Sequence, residues 1–249
     1  MQISVLASGS SGNCTFISSN ESNILVDAGI SLKRIRNNLD ELGKDLSELN
    51  GVFVTHEHSD HIKALEKLDK ENVPIFINKE TYMASKLQLN NLKLITDTKF
   101  EFNDLMIKPT SISHDGANPY GYKVTNKNKT AGVFTDLGIA NHEVKSIIKD
   151  ADAMVLETNH DIDMVLNGRY PYHLKQRILG DKGHLSNIDA GLLVKNHASD
   201  KLKNVFLSHI SRNNNTDELA LNTLDQLTKE LNINMILTND KFRTEFIKL

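Results

Sequence analysis

The sequence predicts an α/β fold in which short buried strands alternate with amphipathic helices. Seven short apolar runs have the composition of buried strands; they are residues 23–26, 52–54, 74–77, 132–134, 154–156, 205–207 and 235–237. Helical patterns lie between many of them, and this alternation is typical of layered α/β domains. Of the 249 residues, 39% are hydrophobic and 24% charged, which is ordinary for a globular protein. No linker or repeat interrupts the chain, so we expect one domain over residues 1–249.

Three segments carry an apolar face at helical spacing behind a residue that can cap a helix. A hydroxyl at the N-cap accepts hydrogen bonds from free N–H groups of the first turn. The caps and their apolar positions are Ser31 with Leu32, Ile35, Leu39, Leu42 and Leu46; Ser186 with Ile188, Leu192 and Val194; and Thr216 with Leu219, Leu224, Leu227 and Leu231. We therefore expect a helix to begin after each of these caps.

Acids and histidines follow five of the strand-like runs. These residues are Asp27, His56, Asp136, Glu157 with the nearby His160, and His209. Any single one is explained by the polarity of loops. All five together favour a common cleft, because a layered sheet that exposes its strand ends along one edge collects such side chains there.

The densest group of ionisable residues is THEHSDH, residues 55–61. His56 and His58 are one residue apart, so both imidazoles can point the same way, and Asp60 and His61 follow directly. Mixed nitrogen and oxygen donors suit zinc, manganese or iron, and the absence of a nearby thiolate argues against a closed structural zinc site. The spacing favours two ions with open coordination positions. Surface histidines with Asp60 as a helix cap are the alternative.

This segment resembles the HxHxDH signature of the metallo-β-lactamase-fold hydrolases, and later residues follow that family's order. The resemblance implies a four-layer αββα sandwich and two divalent metal ions per chain, zinc or manganese, with iron as a further option. It implies these ligands: His56, His58 and His114 for one ion; Asp60, His61 and His209 for the other; and Asp136 between them. Asp27 would orient ligands from behind, as outer carboxylates commonly do.

The YycJ (WalJ) branch of this family is similar in further segments: SVLASGSSGNCTFI, FTDLG, LETNHD, YPYHLKQRILGDKGHLSN and LSHIS. Members of this branch are bacterial metallohydrolases associated with 5′-exonuclease activity on DNA. The resemblance implies that Asn13 contacts substrate. Three segments also resemble ribonuclease Z, which implies that Glu157 orients His184 to protonate the leaving oxygen. Asp60 would also be catalytic, because it would accept a hydrogen bond from the attacking water.

A basic segment precedes His184. Between residues 166 and 184 there is one acid, Asp181, and the segment also holds these basic and aromatic residues: Arg169, Lys175, Arg177, Lys182, Tyr170 and Tyr172. We predict Arg169, Lys175 and Arg177 as contacts to a nucleic-acid backbone, although a solvated basic loop explains the composition equally well. The net charge of −3 does not exclude DNA as a partner, because two bound dications would offset it.

The sequence therefore predicts a two-metal phosphodiesterase, specifically a 5′-exonuclease acting on DNA. Two ions about 3.5–4 Å apart would lower the pKa of a bridging water toward ~7 and supply hydroxide. Two alternatives stay open: a glyoxalase II-like thioester or lactone hydrolase with the same ligands, and a metal-dependent regulatory protein without turnover. A single cysteine, Cys14, excludes an intramolecular disulfide, and no apolar run reaches the ~20 residues of a membrane span. We expect a cytoplasmic protein without a membrane partner.

Overall fold

The computed structural model describes residues 1–249, which form two seven-stranded sheets with helices on their outer faces. The strands are β1 (Gln2–Ala7), β2 (Cys14–Ser18), β3 (Asn23–Val26), β4 (Gly51–Phe53), β5 (Ile75–Asn78), β6 (Leu92–Ile95), β7 (Phe100–Phe102), β8 (Leu105–Ser111), β9 (Tyr120–Asn126), β10 (Lys129–Phe134), β11 (Ala153–Glu157), β12 (Asn204–Ser208), β13 (Asn234–Leu237) and β14 (Ile247–Lys248). The helices are α1 (Leu32–Glu41), α2 (Ser59–Ile62), α3 (Leu65–Lys70), α4 (Lys79–Ser85), α5 (His142–Asp150), α6 (Ile162–Asn167), α7 (Tyr172–Leu179), α8 (Asn187–His197) and α9 (Asp217–Thr228), and a 3₁₀ turn covers Leu46–Glu48.

The two sheets share one pattern of strand pairing. The first sheet has the order β14-β1-β2-β3-β4-β5-β6, with antiparallel pairs up to β3 and parallel pairs from β3 to β6. The second has the order β13-β12-β11-β10-β9-β8-β7, antiparallel from β7 to β10 and parallel from β10 to β13. Parallel strands end at the same edge, so each sheet delivers several loops to one side.

Three apolar layers separate the secondary-structure layers. The middle layer, between the sheets, includes Phe53 from the first sheet and Tyr122 and Phe206 from the second. Helices α1 and α3 cover the outer face of the first sheet, and α5, α8 and α9 cover that of the second. Inside the middle layer, the Tyr122 hydroxyl donates to the Val54 carbonyl at 2.5 Å and so joins the two sheets. This arrangement confirms the predicted αββα sandwich.

The predicted elements lie close to the observed ones. Ser31, Ser186 and Thr216 are the N-caps of α1, α8 and α9, and each side chain accepts a hydrogen bond from the first turn. Helix α1 ends at Glu41, earlier than its apolar pattern suggested, because the chain turns at Gly43 with φ 69° and Leu46 falls in the 3₁₀ turn. None of the helices is both long and apolar enough to cross a bilayer.

Candidate metal centre

Residues from the parallel strand ends of both sheets meet in one cluster. Asp27, Asp136 and His209 directly follow β3, β10 and β12 or come one residue later, and their backbone φ angles are 61°, 53° and 57°. This left-handed conformation is uncommon outside glycine, although Asp and His tolerate it better than most residues. Such conformations concentrate at functional sites, where the fold holds them against their conformational cost.

The THEHSDH segment follows β4 and ends in the short helix α2. Residue His58 is the N-cap of α2, which puts Asp60 and His61 in its first turn. The loop after β3 supports this turn, because Ala28 donates its N–H to the His61 carbonyl at 2.8 Å. A side chain at Gly29 would overlap the Asp60 carbonyl. The close approach of these two loops therefore requires glycine.

The carboxylate of Asp136 is the centre of the cluster. Its Oδ2 lies 2.7 Å from His61 Nε2 and 4.0 Å from His56 Nε2. Its Oδ1 faces the other side, 3.2 Å from His209 Nδ1 and 3.9 Å from His114 Nε2. One buried carboxylate thus contacts or faces imidazoles contributed by both sheets.

Three sets of donor atoms lie close enough together to share an ion. Within each set all donors are within 4.8 Å of one another, and the sets are His56, His58 and His114; His56, His61 and Asp136; and Asp136, Glu157, His184 and His209. The first set matches the three histidines expected for one ion. Asp60 belongs to none of the sets, but its Oδ2 lies 3.5 Å from His61 Nε2 and 3.9 Å from His209 Nε2.

The protonation preferences of His56 and Asp136 suit metal ligands, whereas burial opposes the charge on His61 but Asp27 and Asp136 raise the pKa of that imidazole well above its ordinary value. Burial, together with the nearby charge on His61, moves the pKa of His56 well below its ordinary value, so this imidazole favours the neutral form. Burial opposes ionisation of Asp136, but the imidazoles of His209 and His61 outweigh it and hold the pKa of the carboxyl well below its usual range. Neutral imidazoles and ionised carboxylates are the forms that bind metal ions.

Two buried donor atoms in the cluster have no hydrogen-bond partner. They are His114 Nε2 and His209 Nε2. Buried polar atoms in native proteins are nearly always satisfied, so two such atoms in one place require an explanation. A bound cation would satisfy both. The residues present therefore fit divalent metal ions.

The donors of the THEHSDH segment form the first half of the cluster. The buried carboxylate of Asp27 lies next to them. Its Oδ2 accepts a hydrogen bond from His61 Nδ1 at 2.7 Å, which leaves His61 Nε2 turned toward Asp136. Thr55 donates its backbone N–H and its hydroxyl to the same carboxylate, each at 2.8 Å. The Thr55 hydroxyl also contacts His56 Nδ1 at 2.9 Å, so one carboxylate and one threonine fix two imidazoles.

The donors contributed by the second sheet, which include His184 and His209, form the second half of the cluster. Glu157 is the buried carboxylate that contacts histidines there, as Asp27 does in the first half. Its Oε1 accepts hydrogen bonds from both His184 Nδ1 and His209 Nδ1, each at 2.8 Å, and its Oε2 accepts the N–H of Leu137 at 2.5 Å. Burial opposes the charged form of His209, but Asp136 and Glu157 raise its pKa to about 9. Burial likewise opposes the charge on His184, and Glu157 raises the pKa of this imidazole above its ordinary value.

A cavity of about 210 Å³ opens beside the second half of the cluster. Its lining includes His184 and His209 together with Ser10, Tyr170 and Arg177. Arg177 thus lies at the site, as the basic segment suggested. Its Nε and Nη2 both lie 2.6 Å from Asp115 Oδ2, so part of the guanidinium is already paired.

Other predicted substrate contacts lie elsewhere. The Lys175 ammonium donates to the Leu166 carbonyl at 2.6 Å near the end of α6, so this side chain holds two helices together and does not reach the cavity. Arg169 is exposed and does not line the cavity. The Lys175 ammonium therefore links α6 to α7 in this structure, and its contact with a nucleic-acid backbone stays a prediction.

Asn13 lies next to two of the predicted metal ligands. It is buried, and its amide nitrogen contacts His61 Nε2 at 3.1 Å and Asp60 Oδ2 at 3.3 Å. Its side-chain oxygen accepts the Gly9 N–H at 3.0 Å. Asn13 therefore supports the ligand-bearing turn, and its contact with substrate stays a prediction.

Sequence reasoning did not identify Asp115, Thr55 or Glu57 as site residues. Asp115 Oδ1 lies 3.2 Å from His114 Nε2 and 3.7 Å from His58 Nε2. Glu57 accepts the Ala117 N–H at 2.8 Å and so ties the loop after His114 to the THEHSDH segment. For Asp115 and Glu57 a signal was available, because both are acids adjacent to predicted ligands in sequence.

Comparison with known proteins agrees with this architecture. Residues 22–210 match the family model described as the β-lactamase superfamily domain. The chain is 38% identical over 239 residues to a Bacillus anthracis protein named exodeoxyribonuclease YycJ, covering 92% of this chain and 90% of that one. It is 35% identical over 230 residues to a Streptococcus pneumoniae protein named exodeoxyribonuclease WalJ, covering 89% and 86% of the two chains.

A solved structure has the same fold. The metallo-β-lactamase fold protein YhfI from Bacillus subtilis superposes with a TM-score of 0.76 over 98% of this chain and 99% of its own, at 17% identity. At that identity the likeness concerns the fold alone.

Proposed function

The chain belongs to the β-lactamase superfamily, and from that premise we propose that it is a metal-dependent exonuclease that hydrolyses phosphodiester bonds at the 5′ ends of DNA. Two full-length relatives that are named exodeoxyribonucleases support the nucleic-acid substrate. The observation that carries the proposal is the placement of His184, held by Glu157, in the same cavity as Arg177. A proton donor and a phosphate-binding cation beside a cluster of metal donors suit phosphodiester hydrolysis.

We assign two divalent ions to the cluster, zinc or manganese, with iron as a further option. The ligands would be His56, His58 and His114 for one ion, and Asp60, His61 and His209 for the other, with Asp136 shared. When bound, the ions supply Lewis-acid activation of water and of the phosphoryl group. The unpartnered Nε2 atoms of His114 and His209 support this assignment.

His184 is the proton donor in this proposal. Its Nδ1 is engaged with Glu157, so Nε2 is the atom that can carry a proton to the leaving 3′ oxygen. The side chain is 16% exposed, in contrast to the fully buried Glu157, which suits a group that must meet substrate. Asp60, with 21% of its side chain exposed, is the carboxylate that can accept a hydrogen bond from the attacking water.

Arg177 binds a backbone phosphate beside this proton donor. Guanidinium groups recognise phosphate oxygens through several N–H donors at once, and backbone contacts of this kind carry no base information. The same proposal takes residues 1–249 as one domain, because both sheets contribute donors to one cluster. It places the protein in the cytoplasm, where its single, buried Cys14 stays a thiol.

Linear DNA labelled at either end tests the proposal. With zinc or manganese added, we expect labelled 5′ ends to be released progressively and a covalently closed circle to stay intact. Rapid cutting of the circle contradicts the exonuclease assignment. Inertness toward DNA and RNA together with hydrolysis of a thioester or lactone favours the glyoxalase II-like alternative.

A further inference from the structure

Asp115 connects the first histidine cluster to the basic segment. Its Oδ1 lies 3.2 Å from His114 Nε2 and 3.7 Å from His58 Nε2, both in the first set of metal donors. Its Oδ2 lies 2.6 Å from both Nε and Nη2 of Arg177 on helix α7. The carboxylate therefore stands between the histidines and the guanidinium.

This contact fixes the orientation of Arg177. A guanidinium has five N–H donors in a rigid plane, and the edge formed by Nε and Nη2 faces Asp115. Its Nη1 donates no hydrogen bond to the chain and stays available for an anion. Arg177 is 54% exposed and also lines the cavity of about 210 Å³ that contains His184.

Electrostatics explains why an acid is needed here. A cationic side chain beside a cluster that holds divalent ions is repelled unless an anion lies between them. Asp115 is that anion, with Arg177 at hydrogen-bond distance. Helix α7 alone would leave the long Arg177 side chain free to move into solvent, at a gain of conformational entropy.

We propose that Asp115 is a positioning residue that holds Arg177 beside the histidine cluster, with its free N–H groups directed at a phosphate of the bound strand. The inference rests on the proposed nuclease function only for the identity of that anion. The positioning of Arg177 can be measured without DNA.

The experiment compares wild type, Asp115→Ala, Arg177→Gln and the double variant. The probe is a 5′-phosphorylated, fully phosphorothioate-linked single strand, whose dissociation constant is read by fluorescence anisotropy with added manganese. We expect each single variant to bind about 10- to 100-fold more weakly, because each loses the oriented charged hydrogen bonds. The double variant should be no weaker than Arg177→Gln alone, since the two residues act as one unit.

The sign of the Asp115→Ala effect is decisive. Removing a negative charge near a polyanion tightens binding if only general electrostatics acts, whereas loss of positioning weakens it. Asp115→Ala and Arg177→Gln should also each make the slope of log binding constant against log salt concentration shallower by ~0.7, the value for one phosphate contact on a single strand. Glu71→Gln is the matched control, because it breaks an exposed pair with Arg36 elsewhere on the surface and should leave affinity unchanged.

Two further measurements separate this inference from its alternatives. Metal content should stay at the wild-type value in Asp115→Ala, and loss of one equivalent would make Asp115 a ligand and overturn the positioning role. The Arg177 Nε–H signal in ¹⁵N NMR should be rigid in wild type and mobile in Asp115→Ala, and equal mobility in both overturns it as well.

Failure of the nuclease assignment has a different signature. If wild type holds its metal ions but binds no DNA, the proposed function fails, and the NMR comparison still decides whether Asp115 orders Arg177. If wild type binds DNA and the variants behave additively, or Asp115→Ala binds more tightly, only the inference about Asp115 fails.

Discussion

Two buried carboxylates, Asp27 and Glu157, lie behind histidines in the two halves of the molecule, but they serve different numbers of imidazoles. Asp27 accepts a hydrogen bond from one histidine, His61, and its other hydrogen bonds come from the amide and hydroxyl of Thr55. Glu157 accepts from two histidines with the same oxygen. Both histidines line the cavity, and His209 Nε2 also lies 3.9 Å from Asp60 Oδ2.

This difference indicates that the two sheets have different roles at the site. In the proposed function, the first sheet contributes a compact group of ligands held by Asp27 and Thr55, and these two residues make no contact with the cavity. The second sheet contributes ligands and the proton donor through one shared carboxylate. Changes at Asp27 should therefore act on metal affinity, while changes at Glu157 should act on metal affinity and on proton transfer together.

Replacing Asp136 should have the largest effect, because this carboxylate faces imidazoles from both halves. In Asp136→Ala we expect the rate of DNA cleavage to fall by about a thousandfold or more, since several kcal/mol of metal-derived stabilisation are lost. Elemental analysis should show fewer metal equivalents per chain. A variant that keeps two equivalents and a near-normal rate would contradict the shared position of Asp136.

Glu157→Gln tests the double role of the second carboxylate. Metal affinity should fall about 10- to 100-fold because His209 loses its ionised acceptor. The rate at saturating metal should stay about 10²–10⁴-fold low because His184 loses the same charged partner. Metal titration followed by kinetics at saturation separates the two effects. Full recovery of kcat in excess metal would leave Glu157 with the same single role as Asp27.

His184→Ala isolates proton transfer from metal binding. We expect kcat to fall about 10²–10⁴-fold with little change in KM, and metal content should equal that of wild type. His184 is also near the donors of the third set, with Nδ1 3.5 Å from Asp136 Oδ1. Loss of a metal equivalent in this variant would identify His184 as a ligand.

The first half was the easier one to recognise from the sequence. Its ligands lie within seven consecutive residues, and their geometry follows from one strand end and one helix start. The strand ends at Asp27, Asp136 and His209 were equally visible, because apolar runs precede them. Elements with weaker patterns were not recognised, such as β6 and β7, whose side chains are mostly half-buried or exposed.

Contacts between distant segments could not be derived from local patterns. Glu157 and His209 come together because β11 and β12 pair in parallel, and nothing in either segment alone shows that one carboxylate serves two histidines. The same holds for the contact between Lys175 and the Leu166 carbonyl, which no pattern in the basic segment predicted. Composition identifies a charge, but the partner depends on the tertiary structure.

Asp27→Asn should have a smaller effect that is confined to metal binding. We expect metal affinity to fall about 10- to 100-fold, because His61 loses its ionised acceptor. At saturating metal, kcat should return to within a few-fold of wild type, in contrast to Glu157→Gln. Asp69→Asn is the control: this buried carboxylate accepts amide hydrogen bonds from Asn90 and Asn91 far along the first sheet and should leave metal affinity unchanged. A persistent loss of kcat in Asp27→Asn would remove the distinction between the two halves.

The smallest effect on the metal centre is expected from Tyr122→Phe, which changes a contact between the two sheets that involves none of the metal donors. Tyr122 in the second sheet donates to the carbonyl of Val54, two residues before His56 in the first. Tyr122→Phe keeps the ring in the middle core but leaves that carbonyl unsatisfied, at a cost of about 1–2 kcal/mol. For a protein of this size the melting temperature should fall by about 2–8 °C. Metal content should be unchanged, because the backbone that carries His56 is also held by Asp27 through Thr55. If metal affinity falls together with stability, the middle core positions the ligands directly, and the two halves are less independent than their carboxylates indicate.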